Sequence, residues 1–246
     1  MPKEIQVGFS QRIQLDWLER AATLALIGQS YSQAETTLLD FLTDKLSVGS
    51  QTKRGNRHKA TTILLKIWLT APLPQQPFQK NGLELLRTSN QATHLPLHWG
   101  MSMVTYPFFG AIAATIGRLF HLQQTITIAQ VHQRIQEQYG QRQTVTRATQ
   151  RVVRCFTDWG VLQETGTLGH YQARPKQPLD NPEGVVWLME AVLRATQTDS
   201  QPLQTLLQAP QLFPFSLTMP PQNVIEANGR LEYFRQGVTM EMVALH

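Results

Sequence analysis

The chain has one cysteine, Cys155, in 246 residues. No internal disulfide framework and no cysteine-based zinc site can be built from it. Cys155 falls inside an apolar helical pattern, which reads as a buried structural thiol. Charge is sparse too: 16% of residues are charged, against about 25% in ordinary domains. Uninterrupted apolar runs are missing. The opening MPKEIQVGFSQRIQLDWLER has no signal-peptide core. The most apolar stretch, residues 104–122, contains Pro107, Gly110, Gly117, Arg118 and His121 and reads as a buried helix. These absences predict a soluble, cytoplasmic protein that does not use a membrane.

Enzyme signatures are also lacking. There is no phosphate-binding glycine loop, no G-x-S-x-G and no carboxylate cluster suited to two metal ions. His94 and His98 stand four apart, as two zinc ligands on a helix do, but Pro96 lies between them and no H-E-x-x-H acid accompanies them. The expectation is a protein that is not an enzyme, with no catalytic residue, no metal and no cofactor.

A core is affordable, with 41% hydrophobic residues and five tryptophans. The net charge of +5 is unevenly placed. Residues 118–176 hold eight basic residues against three acids, and Lys53, Arg54, Arg57 and Lys59 form a second group with no acid among them. The remainder is net acidic. Such concentration is the electrostatic footprint of a polyanion partner.

Hydrophobic periodicity predicts a mainly α protein in three parts. Residues 1–100 read as a helical domain, with helices near 11–28, after a Ser32/Glu35 capping box, and near 60–70 and 82–87. Residues 53–59 read as a polar basic loop, and the prolines of APLPQQP end the third helix. Residues 177–246 read as a small α/β extension, helical near 183–196 and 202–208, then with short strands in FPFSL, LEYFRQG and EMVAL. No repeat is present.

Residues 101–176 carry the functional argument. A long apolar helix, 107–121, precedes a shorter one that starts at Thr127 and ends at Gly140. Thr144 then reads as the cap of a third helix, VTRATQRVVRCFTDW, closed by Gly160, and VLQETGTLGHYQARP reads as a β-hairpin. On the third helix Val145, Ala148, Val152, Phe156 and Trp159 make one apolar stripe. Arg147, Gln150, Arg151 and Arg154 fall on the opposite side, facing solvent, with no acid before Asp158. Arg pairs with guanine, Gln with adenine, and either reaches phosphate. Thr144 and Thr146 can donate to phosphate, and His170 and Arg174 of the hairpin can reach a flanking groove or backbone.

Through TIAQVHQRIQEQYG, TVTRATQRVVRCFTDWGVL and QETGTLGHYQARP the segment resembles the winged-helix superfamily. The resemblance covers about 70 residues and implies a helix-turn-helix reader of duplex DNA, with the basic loop holding flanking phosphates. Winged helices also bind RNA or dock proteins, so a scaffold subunit with protein partners is the alternative. The whole layout is similar to the BrxA-like accessory proteins of BREX anti-phage systems, through the helical N-terminal part, KRGNRHKATTILLKIW and the C-terminal module. That similarity implies a DNA-binding helper of antiviral defence.

Overall fold

An extended segment leads into the first helix and buries Phe9 and Ile13 completely. The computed structural model describes residues 7–46, 55–237 and 239–246, so Lys53 and Arg54 lie outside the described residues. Helix α1 (Leu15–Leu26) buries Trp17, Leu18, Ala21, Ala22 and Leu24 along one face. Helix α2 (Tyr31–Phe41) begins two residues earlier than expected. Its capping box uses Ser30 and Gln33, because S-Y-S-Q-A-E contains two overlapping boxes and the first closes. Helix α3 (Asn56–Trp68) also starts early, so Arg57 and Lys59 stand on its first turn and not in a loop.

Helix α4 (Gln76–Thr88) is twice its expected length. The proline run ends α3 as expected, but its last member, Pro77, sits in the first turn of α4, where a missing N–H costs nothing. Helices α5 (Leu95–Thr105) and α6 (Pro107–Leu122) meet at 118°. Pro107 forces the break by driving Tyr106 out of helical geometry, to φ −129° and ψ 88°. Among the described residues, no single helix is long and apolar enough to cross a membrane.

After α6 come β1 (Thr125–Thr127), α7 (Ile128–Tyr139), α8 (Gln143–Asp158), β2 (Leu162–Glu164) and β3 (His170–Ala173). The three strands form an antiparallel sheet in the order β1-β3-β2, with Ile126 and Glu164 both opposite Tyr171. Ile126, Leu162 and Tyr171 point inward, and Val131, Ile135 and Tyr139 of α7 pack on the same core.

The rest of the chain closes around helix α9 (Pro182–Thr196), whose residues from Gly184 to Leu193 are all buried. A helix apolar on every side needs neighbours on every side, and α4, α5 and α6 supply them. The Trp187 indole stacks on Phe78 at 4.4 Å and donates to the Phe78 carbonyl. It also sits where side chains at Gly82 and Gly100 would have to be: a Cβ on either would lie 2.8 and 2.4 Å from the ring. Two glycines therefore make the slot for one tryptophan.

Strand β4 (Gln177–Leu179) pairs in parallel with β6 (Phe215–Leu217), while β5 (Ser200–Pro202), β8 (Met240–Leu245) and β7 (Leu231–Gln236) form a third, antiparallel sheet. Short helices α10 (Leu203–Leu207) and α11 (Gln222–Ala227) fill the connections. Glu190 of α9 is fully buried. It is bonded by Arg194 and by Arg230, which also donates to Asn81. A buried carboxylate is tolerable only with such partners. Buried residues from Phe9 to Val243 form one contiguous core, so segments 1–100, 101–176 and 177–246 share a single interior. The chain is mainly helical with small sheets.

Candidate nucleic-acid interface

Helix α8 is positioned by what ends α7. Gly140 takes φ +85°, a value that disfavours side chains, and the chain turns back within three residues. Arg142, not Thr144, occupies the cap position, and no side chain caps the helix. Thr144 instead stands exposed in the first turn. The buried face of α8 is Val145, Ala148, Thr149, Val152, Val153, Cys155 and Phe156. It is wider than one apolar stripe, since Thr149, Val153 and Cys155 lie outside the expected pattern.

On the Cys155 side the extra burial comes from residues 9–14, which run along that flank of α8. Ile13 donates its N–H to Cys155 Sγ at 3.2 Å, and its carbonyl accepts from Trp159 Nε1 at 2.9 Å. Arg151 donates to the Ser10 carbonyl. Arg12 holds Asp158 through two bonds of 2.5 Å, and Gln14 adds a third at 2.8 Å. Burial pushes the Asp158 carboxyl up, but the bonds from Arg12 and Gln14 and the charges of Arg12 and Arg154 outweigh it and leave it below the usual range. The Cys155 thiol, fully buried, is pushed up to about 12, which makes it an inert structural group.

The expected solvent stripe is therefore narrower than its spacing suggests. Arg147 and Arg154 are exposed, and Arg147 has no bonded partner among the described residues. Gln150 is half-buried, with its side chain near the Tyr171 hydroxyl of the hairpin. Arg151 is half-buried under the N-terminal segment, a correction to its placement on a free face. Thr146 accepts from Gln136 Nε2 at 2.9 Å and ties α7 to α8. His170, half-buried, has Nδ1 3.2 Å from the Leu168 carbonyl, so that nitrogen is the donor. Arg174 is exposed, and its backbone N–H donates to Val161.

The structure brings Thr144, Arg147 and Arg154 to one exposed face of α8 and packs the β2–β3 hairpin against the same helix. Arg57 and Lys59 are placed by the α2–α3 junction instead. Arg57 is half-buried and donates to the Thr43 carbonyl at 3.2 Å, which removes it from a free basic loop, whereas Lys59 is exposed. Two residues escaped the sequence reading. Arg12 matters through a partner 146 positions away, for which no local pattern exists. Leu168, at the hairpin tip, is 89% exposed. An apolar residue at a polar turn was the available signal.

His94 and His98 do converge, with Glu19 of α1 between them. Glu19 oxygens lie 2.9 Å from His94 Nδ1 and 3.0 Å from His98 Nε2, the second contact lying off the hydrogen-bond line. Trp68 Nε1 donates to His98 Nδ1 at 3.0 Å. That bond makes Nδ1 the acceptor and leaves the neutral ring's proton on Nε2, the nitrogen a metal would need bare. The donor set thus suits a carboxylate shared by two imidazoles better than a metal ion. Burial pushes His98 down; Glu19 is raised by burial but drawn below the usual range by its two histidines.

No family model, curated protein or solved structure matches this chain.

Proposed function

We propose that α6 through β3 form a winged helix that binds duplex DNA, with α8 lying in the major groove and the hairpin over the adjoining backbone. The observation that carries the reading is the exposed pair Arg147 and Arg154 on α8 beside the hairpin. Arg147 has no bonded partner among the described residues, so its guanidinium is free to meet a phosphate or a base. The order of three helices, an early strand and a hairpin, with the early strand paired to β3, suits such a module. Thr144 in the first turn adds a phosphate donor, and the Leu168 tip fits an apolar contact in the minor groove.

Fluorescence anisotropy with a labelled DNA duplex, titrated at several salt concentrations, tests this. Four phosphate contacts give a log–log slope of about −4. A duplex RNA of equal length tells the two polyanions apart. Absent or salt-independent binding overturns the reading. One observation favours a protein-docking role instead: Leu26, Ile27 and Tyr31 at the α1–α2 junction are 40%, 65% and 46% exposed. Co-purification of a partner that Ile27→Asp abolishes would support it. The similarity to BrxA-like proteins extends the proposal to a DNA-binding helper of anti-phage defence, which phage plating on cells with and without the chain measures.

A further inference from the structure

Between the exit of the hairpin and the C-terminal segment runs a groove of about 890 Å³, within the roughly 300–1,000 Å³ that small-molecule sites occupy. One wall is the C-terminal end of α6. A second is β3 with the residues that follow it, and the third is the stretch from α10 to β6. The first and third walls are locked together, because Gly117 lets the Pro210 carbonyl approach α6 so closely that a Cβ would lie 1.9 Å from it. The groove is therefore set by packed backbone and not by side chains free to collapse into it.

Its chemistry is one-sided. Phe120 and Leu217 present half-buried apolar surface, and Phe213 backs Phe120 with ring centroids 5.8 Å apart. Arg174 and Lys176 stand exposed at the rim with His121, and neither of the two permanent cations has an ion-pair partner among the described residues. No aspartate or glutamate lines any wall. Two unneutralised cations beside an apolar floor favour a ligand with a negative group on an apolar body.

We propose that this groove binds a small organic anion carrying a flat ring. The ring rests on Phe120 and Leu217, and its phosphate or carboxylate lies between Arg174 and Lys176. The proposal is tested apart from DNA binding because the ligand is added alone, although Arg174 at the hairpin's exit is a residue that the DNA reading also uses.

Isothermal titration of the full chain with adenosine 5′-monophosphate and with 2-naphthoate tests it, one probe for each anionic group. Adenosine lacks the charge, and inorganic phosphate lacks the ring. The expected result is saturable one-to-one binding of at least one anionic probe and of neither control; the probe that binds identifies the anionic group. Lys176→Glu should weaken that binding about tenfold or more through a reversed charge contact. Gln208→Trp, at an exposed lining position, should block it by filling the groove. The two substitutions strike different walls, so a melting curve that excludes one as misfolded leaves the other to decide. Failure of both anionic probes, equal binding of adenosine, or binding that survives the correctly folded variants overturns the proposal.

Discussion

Arg12 and Asp158, 146 positions apart, are joined by two parallel hydrogen bonds of 2.5 Å each. Their side chains differ in setting: Arg12 is 53% exposed and Asp158 14%. Solvent screens the pair, so its contribution to global stability is small, about 1 kcal/mol or less. Its effect is local. It pins the segment that covers Cys155, whose thiol contacts the Ile13 N–H and the Gln11 carbonyl.

Arg12→Ala should therefore speed thiol labelling of Cys155 under native conditions while moving the denaturant midpoint little. With one cysteine in the chain, the labelling rate reports this segment's opening without ambiguity. Unchanged labelling would mean that burial of Phe9 and Ile13 holds the segment unaided.

The exposed arginines of α8 give the sharpest test of the DNA reading. Arg147→Glu with Arg154→Glu reverses two charges on the proposed face, and each lost bidentate contact is worth about 1–3 kcal/mol. Anisotropy should show no measurable binding, with a melting temperature near wild type, since exposed substitutions usually shift stability by under about 0.5 kcal/mol. Arg151→Glu should behave differently and lower stability, because it removes the donor to Ser10 and places a carboxylate beside that carbonyl. A double variant that still binds DNA would show that α8 is not the reader.

How far the sequence announced this arrangement depends on where each residue's partner lies. Val145, Ala148, Val152 and Phe156 bury at the spacing that helical periodicity requires, because the stripe and its helix are local. Cys155 buries against Ile13 and Gln11, more than 140 positions away, and no window along the chain contains both sides of that contact. The Ser30 cap was legible only as one of two equivalent boxes. The run APLPQQP does close α3, at Trp68, but its last proline, Pro77, also opens α4, because the same missing N–H that ends one helix costs nothing in the first turn of the next. Glu19 shows the limit most clearly. Nothing near it announces that two histidines of the α5 N-terminal turn will converge on it.

Two glycines of α6 make a paired prediction. A Cβ at Gly110 would meet Met103 no closer than 3.7 Å, an ordinary contact, whereas one at Gly117 would collide with the Pro210 carbonyl. Gly110→Ala should be neutral or raise stability by up to about 1 kcal/mol, the usual helix-interior gain over glycine. Gly117→Ala has no rotamer to relieve it and should cost about 3 kcal/mol by overpacking. Equal effects in chemical denaturation would show that the α6 contact with the C-terminal segment is looser than its geometry.

Acid should unfold the protein in two stages, and the groups responsible can be named. His98 and His132 are both pushed down by burial, while Asp158 and Glu19 are drawn down by their partners. In each case the folded pKa lies below the unfolded one, so the unfolded chain binds more protons as the pH falls. The stability these groups confer is complete above their unfolded values and is lost as pH drops through the folded ones. The melting temperature should hold steady between about pH 7 and 8.5, start to fall below about 6.5 as the histidines are drawn toward protonation, and fall further below about 4 with the carboxylates. His98→Gln keeps an acceptor for Trp68 Nε1 and a donor toward Glu19 but cannot titrate, so it should remove part of the upper stage. His132→Gln should remove another part. Calorimetry across this range checks the sign directly: a melting temperature that rises on acidification, or an upper stage untouched by both substitutions, would contradict the assignment.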